Sequence, residues 1–286
     1  MSPDHLNGKF QRQQNFEWCR IFKICLCAPS AYSAALRWCA LKSKFTAETP
    51  STQRRRGELK LEHHETLNLV LMSWSGGKDS CLALYEILKS EDYRVAALLT
   101  TITRDYDRIS MHGVRRVLLE EQAASLGLPL HQVLISKGAS NEEYETRMAE
   151  AFRKYRDNGI DSVVFGDLFL EEIRAYRDQF LARHKMKGVY PVWQRNTTGF
   201  IKEFIELGFK AVLTCVDSKV LDQSFAGKTI DKAFLTSLPA NVDPCGENGE
   251  FHTFVYDGPN FAQPVNFSIG ETVSREGFWF CDLVPP

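Results

Sequence analysis

The sequence predicts an α/β protein: a parallel sheet with helices on both faces, followed by a smaller α+β region. Apolar strand-like runs alternate with helix-period stretches from residue 67 to about 216, the signature of a parallel sheet covered on both sides. Glycines fall where those helices should stop: Gly127 follows Leu126, and Gly159 and Gly208 close later stretches, as helix C-termini prefer. The pattern begins with an apolar run, 69–72, a turn Ser75-Gly-Gly-Lys-Asp-Ser80, and then Leu82, Leu84, Tyr85 and Leu88 at helical spacing.

The strand-like runs are 67–72, 94–102, 130–135, 161–165 and 210–216. Helical stretches lie between them at 80–90, 114–126, 142–158, 170–184 and 198–207. Beyond Val216 the pattern changes to turns and short alternating segments, including 251–256 and 278–283. We divide the chain into an extension, 1–66, a nucleotide-binding domain, 67–216, and a carboxyl-terminal substrate domain, 217–286; the 210–216 run fits either of the last two.

A chain of 286 residues, 44% hydrophobic and 25% charged, can bury one large core or two smaller ones. Its formal charge of -1 conceals an asymmetry. Residues 1–57 hold ten Lys or Arg against three Asp or Glu, leaving 25 against 33 for the remainder. That acidic remainder argues against a nucleic-acid partner. No run is long and apolar enough to cross a bilayer. The eight cysteines show no paired C-x-x-C spacing, and Cys25 and Cys27 alone make a poor metal site. Reduced thiols in a cytoplasmic protein are expected, with the basic extension 1–66 flexible.

The Ser75–Ser80 turn has the chemistry of a phosphate cradle. Gly76 and Gly77 let the backbone close round an anion, and the first free N–H groups of the following helix point into the same space. Ser75 and Ser80 add hydroxyls, and Lys78 adds charge. A Walker A loop is excluded because Met72 stands where its first glycine belongs and Asp79 where Ser or Thr should be. A dinucleotide fingerprint fails because the two glycines are adjacent. The turn resembles the PP-loop of the ATP pyrophosphatase superfamily, a resemblance that implies ATP held by Ser75, Gly76, Gly77, Lys78, Asp79 and Ser80.

Three distal stretches could complete a site. Phe165-Gly166-Asp167-Leu168 ends a strand-like run, and Asp167 there either caps a helix or, with Asp79, holds Mg2+. Val189-Tyr190-Pro191-Val192-Trp193 is either core or a pocket wall. Asp243-Pro-Cys245-Gly-Glu247-Asn248-Gly-Glu250-Phe-His252-Thr253 gathers three acids, a thiol and an imidazole into eleven positions. Strand alternation would place Glu250 and His252 on one face, suited to taking a proton from an amine. Acidic surroundings raise a thiol pKa, so Cys245 is read as a packing or substrate contact rather than a nucleophile.

Together Ser75–Ser80, Met111-His-Gly-Val114, Phe165-Gly-Asp167, Tyr190-Pro-Val-Trp193 and Cys245–Thr253 resemble the diphthine-ammonia ligase, or diphthamide synthase, family over about residues 67–286. The resemblance implies a HUP-type, Rossmann-like domain and a carboxyl-terminal substrate domain. It implies a reaction that adenylates a carboxylate with ATP, releases pyrophosphate and transfers ammonia, giving an amide and AMP. Lys78, Asp79, Glu247, Glu250 and His252 would be catalytic, and Gly166, Asp167, Trp193, Cys245 and Asn248 would meet substrate. The substrate implied is a modified histidine of an elongation factor; a homodimer is among the assemblies allowed. Asn248 and His252 depart from the archaeal and eukaryotic Gly-Glu-Gly-Gly-Glu-Tyr-Glu-Thr and give a bacterial look, and bacteria make no diphthamide, so the acid activated here could be another. The rivals are an ATP-sensing module without turnover and a PP-loop RNA-modifying enzyme.

Overall fold

The computed structural model describes residues 67–110 and 112–286. The expected basic extension, the Cys25 and Cys27 pair, and Met111 lie outside the described residues. β1 (Asn68–Ser73), β2 (Tyr93–Thr103), β4 (Leu130–Ile135), β5 (Ser162–Val164) and β6 (Lys187–Val189) form a parallel sheet in the order β4-β2-β1-β5-β6. A two-residue β3 (Arg108–Ile109) pairs antiparallel with the far end of β2. The chain moves outward from β1 through β2 to β4, then returns to β5 on β1's other side. That reversal opens a crevice at the carboxyl ends of β1 and β5, where doubly wound sheets bind ligands.

The strands are buried because both faces are covered. Val70 and Met72 join a core with Leu82 and Leu84 of α1 (Lys78–Lys89), Leu118 and Leu119 of α2 (Arg116–Ser125), and Phe200 and Phe204 of α5 (Thr197–Glu206). Leu71, one residue out of phase, joins a second core with Phe152 of α3 (Asn141–Arg156) and Phe180 of α4 (Glu171–Arg183). Strand alternation thus assigns α1, α2 and α5 to one face and α3 and α4 to the other.

After α5 the chain builds a second, antiparallel sheet in the order β8-β7-β10-β9, from β7 (Lys210–Asp217), β8 (Phe251–Asp257), β9 (Ser268–Arg275) and β10 (Phe278–Val284). The 210–216 run therefore belongs to this sheet and not to the parallel one. A single 3-10 turn, Gln223–Phe225, and the short α6 (Lys232–Ser237) lie between β7 and β8. The first core continues into this sheet through Phe209, Val212, Leu213 and Phe254.

Three strands escape sequence patterning. β3 has two residues, β6 is Lys-Gly-Val at the sheet's edge, and β9 is largely exposed and so shows no apolar alternation. Among the described residues no helix is long and apolar enough to cross a membrane. Phe204 is fully buried and stacks on Phe209 with ring centroids 4.9 Å apart. Replacing it with Ala should destabilise the protein by about 3–5 kcal/mol, read as a lower urea midpoint.

Candidate active site

The phosphate loop follows from a buried central strand that must turn sharply into a helix. β1 ends at Ser73, and the Trp74 N–H donates to Leu99 O at 2.8 Å. Gly76 takes φ +73°, a left-handed conformation that favours glycine, and Gly77 then caps α1. Close approach also requires glycine at Gly77: a Cβ there would stand 2.8 Å from His112 Cε1 and 3.2 Å from Thr253 O. Two of the helix's four unpaired amides are already engaged. Gly77 N donates to Ser75 Oγ at 3.2 Å, and Lys78 N to Thr253 Oγ1 at 3.1 Å. The amides of Asp79 and Ser80 remain as the donors a helix N-terminus offers to an anion. Ser80 Oγ donates to Gly77 O at 2.9 Å and lies 3.2 Å from Ser75 Oγ, so the two serines brace the turn.

The second sheet completes the loop. Gly76 O accepts from Val255 N at 2.9 Å and from Gln122 Nε2 at 3.0 Å. Gln122, wholly buried in α2, also donates to Val255 O at 2.6 Å and accepts from Trp74 Nε1 at 2.9 Å. His112 Nδ1–H donates to Thr253 O at 2.9 Å, which leaves its Nε2 unprotonated in the neutral ring. The His112 and His252 rings lie 4.8 Å apart.

Charge is concentrated on Lys78. Its buried Nζ lies 2.9 Å from Asp79 Oδ2, 3.9 Å from Glu247 Oε1 and 5.7 Å from the Phe251 ring centre. Burial opposes the ammonium, but Asp79, Cys245 and Glu247 outweigh it and hold the pKa above the usual lysine range. Glu247 is pushed up to about 8 by burial and then by Asp79, with Lys78 opposing. His252 is pushed down to about 3 by burial, then His112 and Lys78. The site therefore holds a fixed cation, a carboxyl group that titrates just above neutrality, and neutral imidazoles. Asp79 Oδ1 is buried with no hydrogen-bond partner, an oxygen suited to a Mg2+ ion at the phosphates.

The remaining candidates separate by geometry. Glu250 stands just before β8, and its carboxylate is engaged within its own loop, accepting from Asp243 N, Asn248 N and Asn248 Nδ2 at 2.9–3.0 Å. Glu250 and Asn248 thus hold their own loop together. Cys245 is fully buried, and its Sγ donates to Thr197 O at 3.1 Å. Burial pushes that thiol up, as does Asp79, against Lys78. Asp167 is not a helix cap: α4 begins after Leu170, and the Asp167 carboxylate pairs with Arg177. Gly166 abuts the phosphate loop, since a Cβ there would stand 2.7 Å from Asp79 O. Trp193 lies on the β6 side, edge-on to Tyr190 at 5.9 Å. Trp74 and Gln122 are not among the expected site residues, and His112 and Thr253 enter the sequence reading only as members of the Met111–Val114 and Cys245–Thr253 motifs. Gln122 announces itself in sequence only as a polar residue on the apolar face of α2.

Comparison with known proteins accounts for both halves. The diphthamide synthase N-terminal domain model matches residues 68–188, and the C-terminal domain model matches residues 196–283, together well over half of the chain. The chain belongs to the diphthamide synthase family. The diphthine–ammonia ligase of Schizosaccharomyces pombe is 24% identical over 233 residues, which is 75% of this chain but 38% of that protein. Those of Danio rerio and Mus musculus are 27% and 26% identical over 70% and 73% of this chain, and each is covered to 86% of its length. A crystal structure of a predicted tRNA methyltransferase subunit from Methanocaldococcus jannaschii matches 67% of this chain and 98% of its own at 15% identity. Its TM-score is 0.34, too low to carry an argument. The N-terminal match ends at residue 188, within β6, and the C-terminal match begins at residue 196, so that β7 falls in the C-terminal match together with the strands it pairs with.

Two outcomes follow. Replacing Gln122 with Leu leaves Trp74 Nε1 without its acceptor and Gly76 O with one donor fewer; it should cost about 1–3 kcal/mol and weaken ATP binding, measured by thermal melting and titration. Glu247 binds its proton in the folded state up to pH about 8 but has an ordinary value of 4.5. Between those values the folded state holds more protons than the unfolded one, so stability falls as pH rises. Glu247→Gln should flatten that decline in denaturant midpoints taken from pH 5 to 9.

Proposed function

We propose that this chain is an ATP-dependent ligase that joins ammonia to a substrate carboxylate, the reaction type named by its diphthine–ammonia ligase relatives. The observation that carries the reading is Glu247: a carboxyl group tuned to titrate near neutrality, delivered by the second sheet's loop to 3.9 Å from the phosphate-loop lysine. A protein that only sensed ATP would have no use for a proton acceptor there. A thiol-based RNA modifier fits poorly, because Cys245 is buried, its pKa is raised, and Cys81, Cys215 and Cys281 are buried as well. Such reduced thiols suit a cytoplasmic setting.

In the proposed reaction a carboxylate oxygen attacks the α-phosphorus of ATP, and the bond to the bridging oxygen breaks to release pyrophosphate. Ammonia then attacks the acyl carbon, and AMP leaves with the electron pair of the broken C–O bond. The proton shed by nitrogen passes to the Glu247 carboxylate. The Asp79 and Ser80 amides and the Lys78 ammonium stabilise the departing pyrophosphate, each well-placed donor contributing about 3 kcal/mol. Asp79 Oδ1 would hold Mg2+, which when bound offsets the charge of the phosphates; Asp167, neutralised by Arg177, is left out of that role. Ser75 shapes the loop, Glu250 and Asn248 shape the distal turn, and Cys245 packs beneath it.

Incubating the full chain with ATP, ammonium and diphthine-bearing elongation factor 2 should yield AMP and pyrophosphate in step with amide. ATP binding without AMP from this or any other acid would favour a sensor. Gly77→Val should leave a soluble protein that no longer binds ATP, because the larger side chain meets His112 and Thr253; full ATP affinity in that variant would overturn the loop assignment.

A further inference from the structure

We propose that Arg174, clamped between Tyr190 and Trp193, is the anchor for the carboxylate of the acid substrate, an assignment that rests on the ligase reading above. The placement comes from topology. Phe165 directly follows β5 and Tyr190 directly follows β6, so both stand on the carboxyl edge of the sheet that carries the phosphate loop after β1. The turn at Gly166 touches the Asp79 backbone, and Gln194, in a left-handed conformation with φ 60°, donates its N–H to Leu168 O. The Trp193 turn is thereby tied to the loop beside the ATP site.

Helix α4 presents Arg174, Arg177 and Asp178 toward this edge at i, i+3 and i+4 spacing. The two arginines differ in what they have left to offer. Arg177 is paired with Asp167 and lies 4.4 Å from the Phe165 ring centre. Arg174 lies 4.5 Å from the Tyr190 ring centre and 4.6 Å from that of Trp193. Its nearest carboxylate, Asp178 Oδ2, is at 3.6 Å, beyond hydrogen-bond reach, and Asp178 Oδ1 already accepts from Tyr190 Oη at 2.8 Å. The rings stabilise the charge and fix its position, but they supply no oxygen acceptor.

The result is a held guanidinium whose N–H donors lack protein acceptors among the described residues, with 37% of the side chain open to solvent. A planar fork of that kind matches a carboxylate with two parallel hydrogen bonds. Because the rings have already ordered the side chain, little further entropy is lost on binding. An oxyanion at Arg174 could come from the acid or from the ATP phosphates. Its partners Tyr190 and Trp193 lie on the segment after β6, not on the turn after β1 whose helix N-terminus receives phosphate, which assigns it to the acid.

The test uses the full chain and butyrate as a simple carboxylate probe, with butyrate and ATP titrated separately into wild type, Arg174→Gln and Arg174→Lys. The proposal expects saturable butyrate binding in wild type, weakened about tenfold or more in both variants because neither keeps the fork, with ATP affinity unchanged. In amide-forming assays the KM for the acid should rise while that for ATP holds, and added methylguanidinium should partly restore Arg174→Gln, as no merely structural role would allow. Wild-type affinity for butyrate in Arg174→Gln, no butyrate binding in wild type, or parallel loss of ATP binding would each overturn the proposal. Arg174-dependent butyrate binding in a chain that makes no AMP would leave the carboxylate site standing and sink the ligase reading instead.

Discussion

Gly76 O accepts from Val255 N and Gln122 Nε2, while Lys78 N donates to Thr253 Oγ1. Through these bonds the phosphate loop is fixed to a strand of the other sheet, and the remaining geometry of the site depends on them. Buried backbone groups must find partners, and this loop finds them on β8. The strand that satisfies the loop also begins directly after the turn carrying Glu247. Neither half makes the site alone: the parallel sheet supplies the helix N-terminus, and the antiparallel sheet supplies the carboxyl group beside it.

The same attachment governs the charges. A buried ammonium is unfavourable unless acids surround it, and Lys78 has Asp79 at 2.9 Å and Glu247 at 3.9 Å. Burial first, and then the neighbouring Asp79, shift Glu247 upward into the range where a proton can be exchanged near neutral pH. Glu250, three residues further on, is held by three donors of its own turn. Adjacent residues of one acidic stretch thus divide between holding the loop and serving the site.

Much of the fold was legible because its cues are local. β1, β2, β4, β5, β7 and β8 each carry a strand-like stretch rich in apolar residues, and α2, α3 and α5 are closed by Gly127, Gly159 and Gly208. The strands that were missed had little to show: β3 and β6 are very short, and β9 is solvent-facing. At the site, the turn Ser75–Ser80 was readable because a phosphate cradle demands glycines, a lysine and a helix start in immediate succession. The partners of Gln122 and of His112, the latter visible only within the Met111–Val114 motif, were not, since a polar side chain in a helix or loop reveals them only when residues 133 and 141 positions away arrive beside it.

By itself the sequence determined the layered α/β architecture, the identity of the phosphate loop and the distal acidic stretch, all of which depend on near neighbours in the chain. Only the tertiary structure decided that β7 leaves the parallel sheet, that Glu247 rather than Glu250 reaches Lys78, and that Asp167 is neutralised by Arg177. Those outcomes depend on long-range pairing, because the charge, burial and free donors of a side chain are set by whatever the fold places around it.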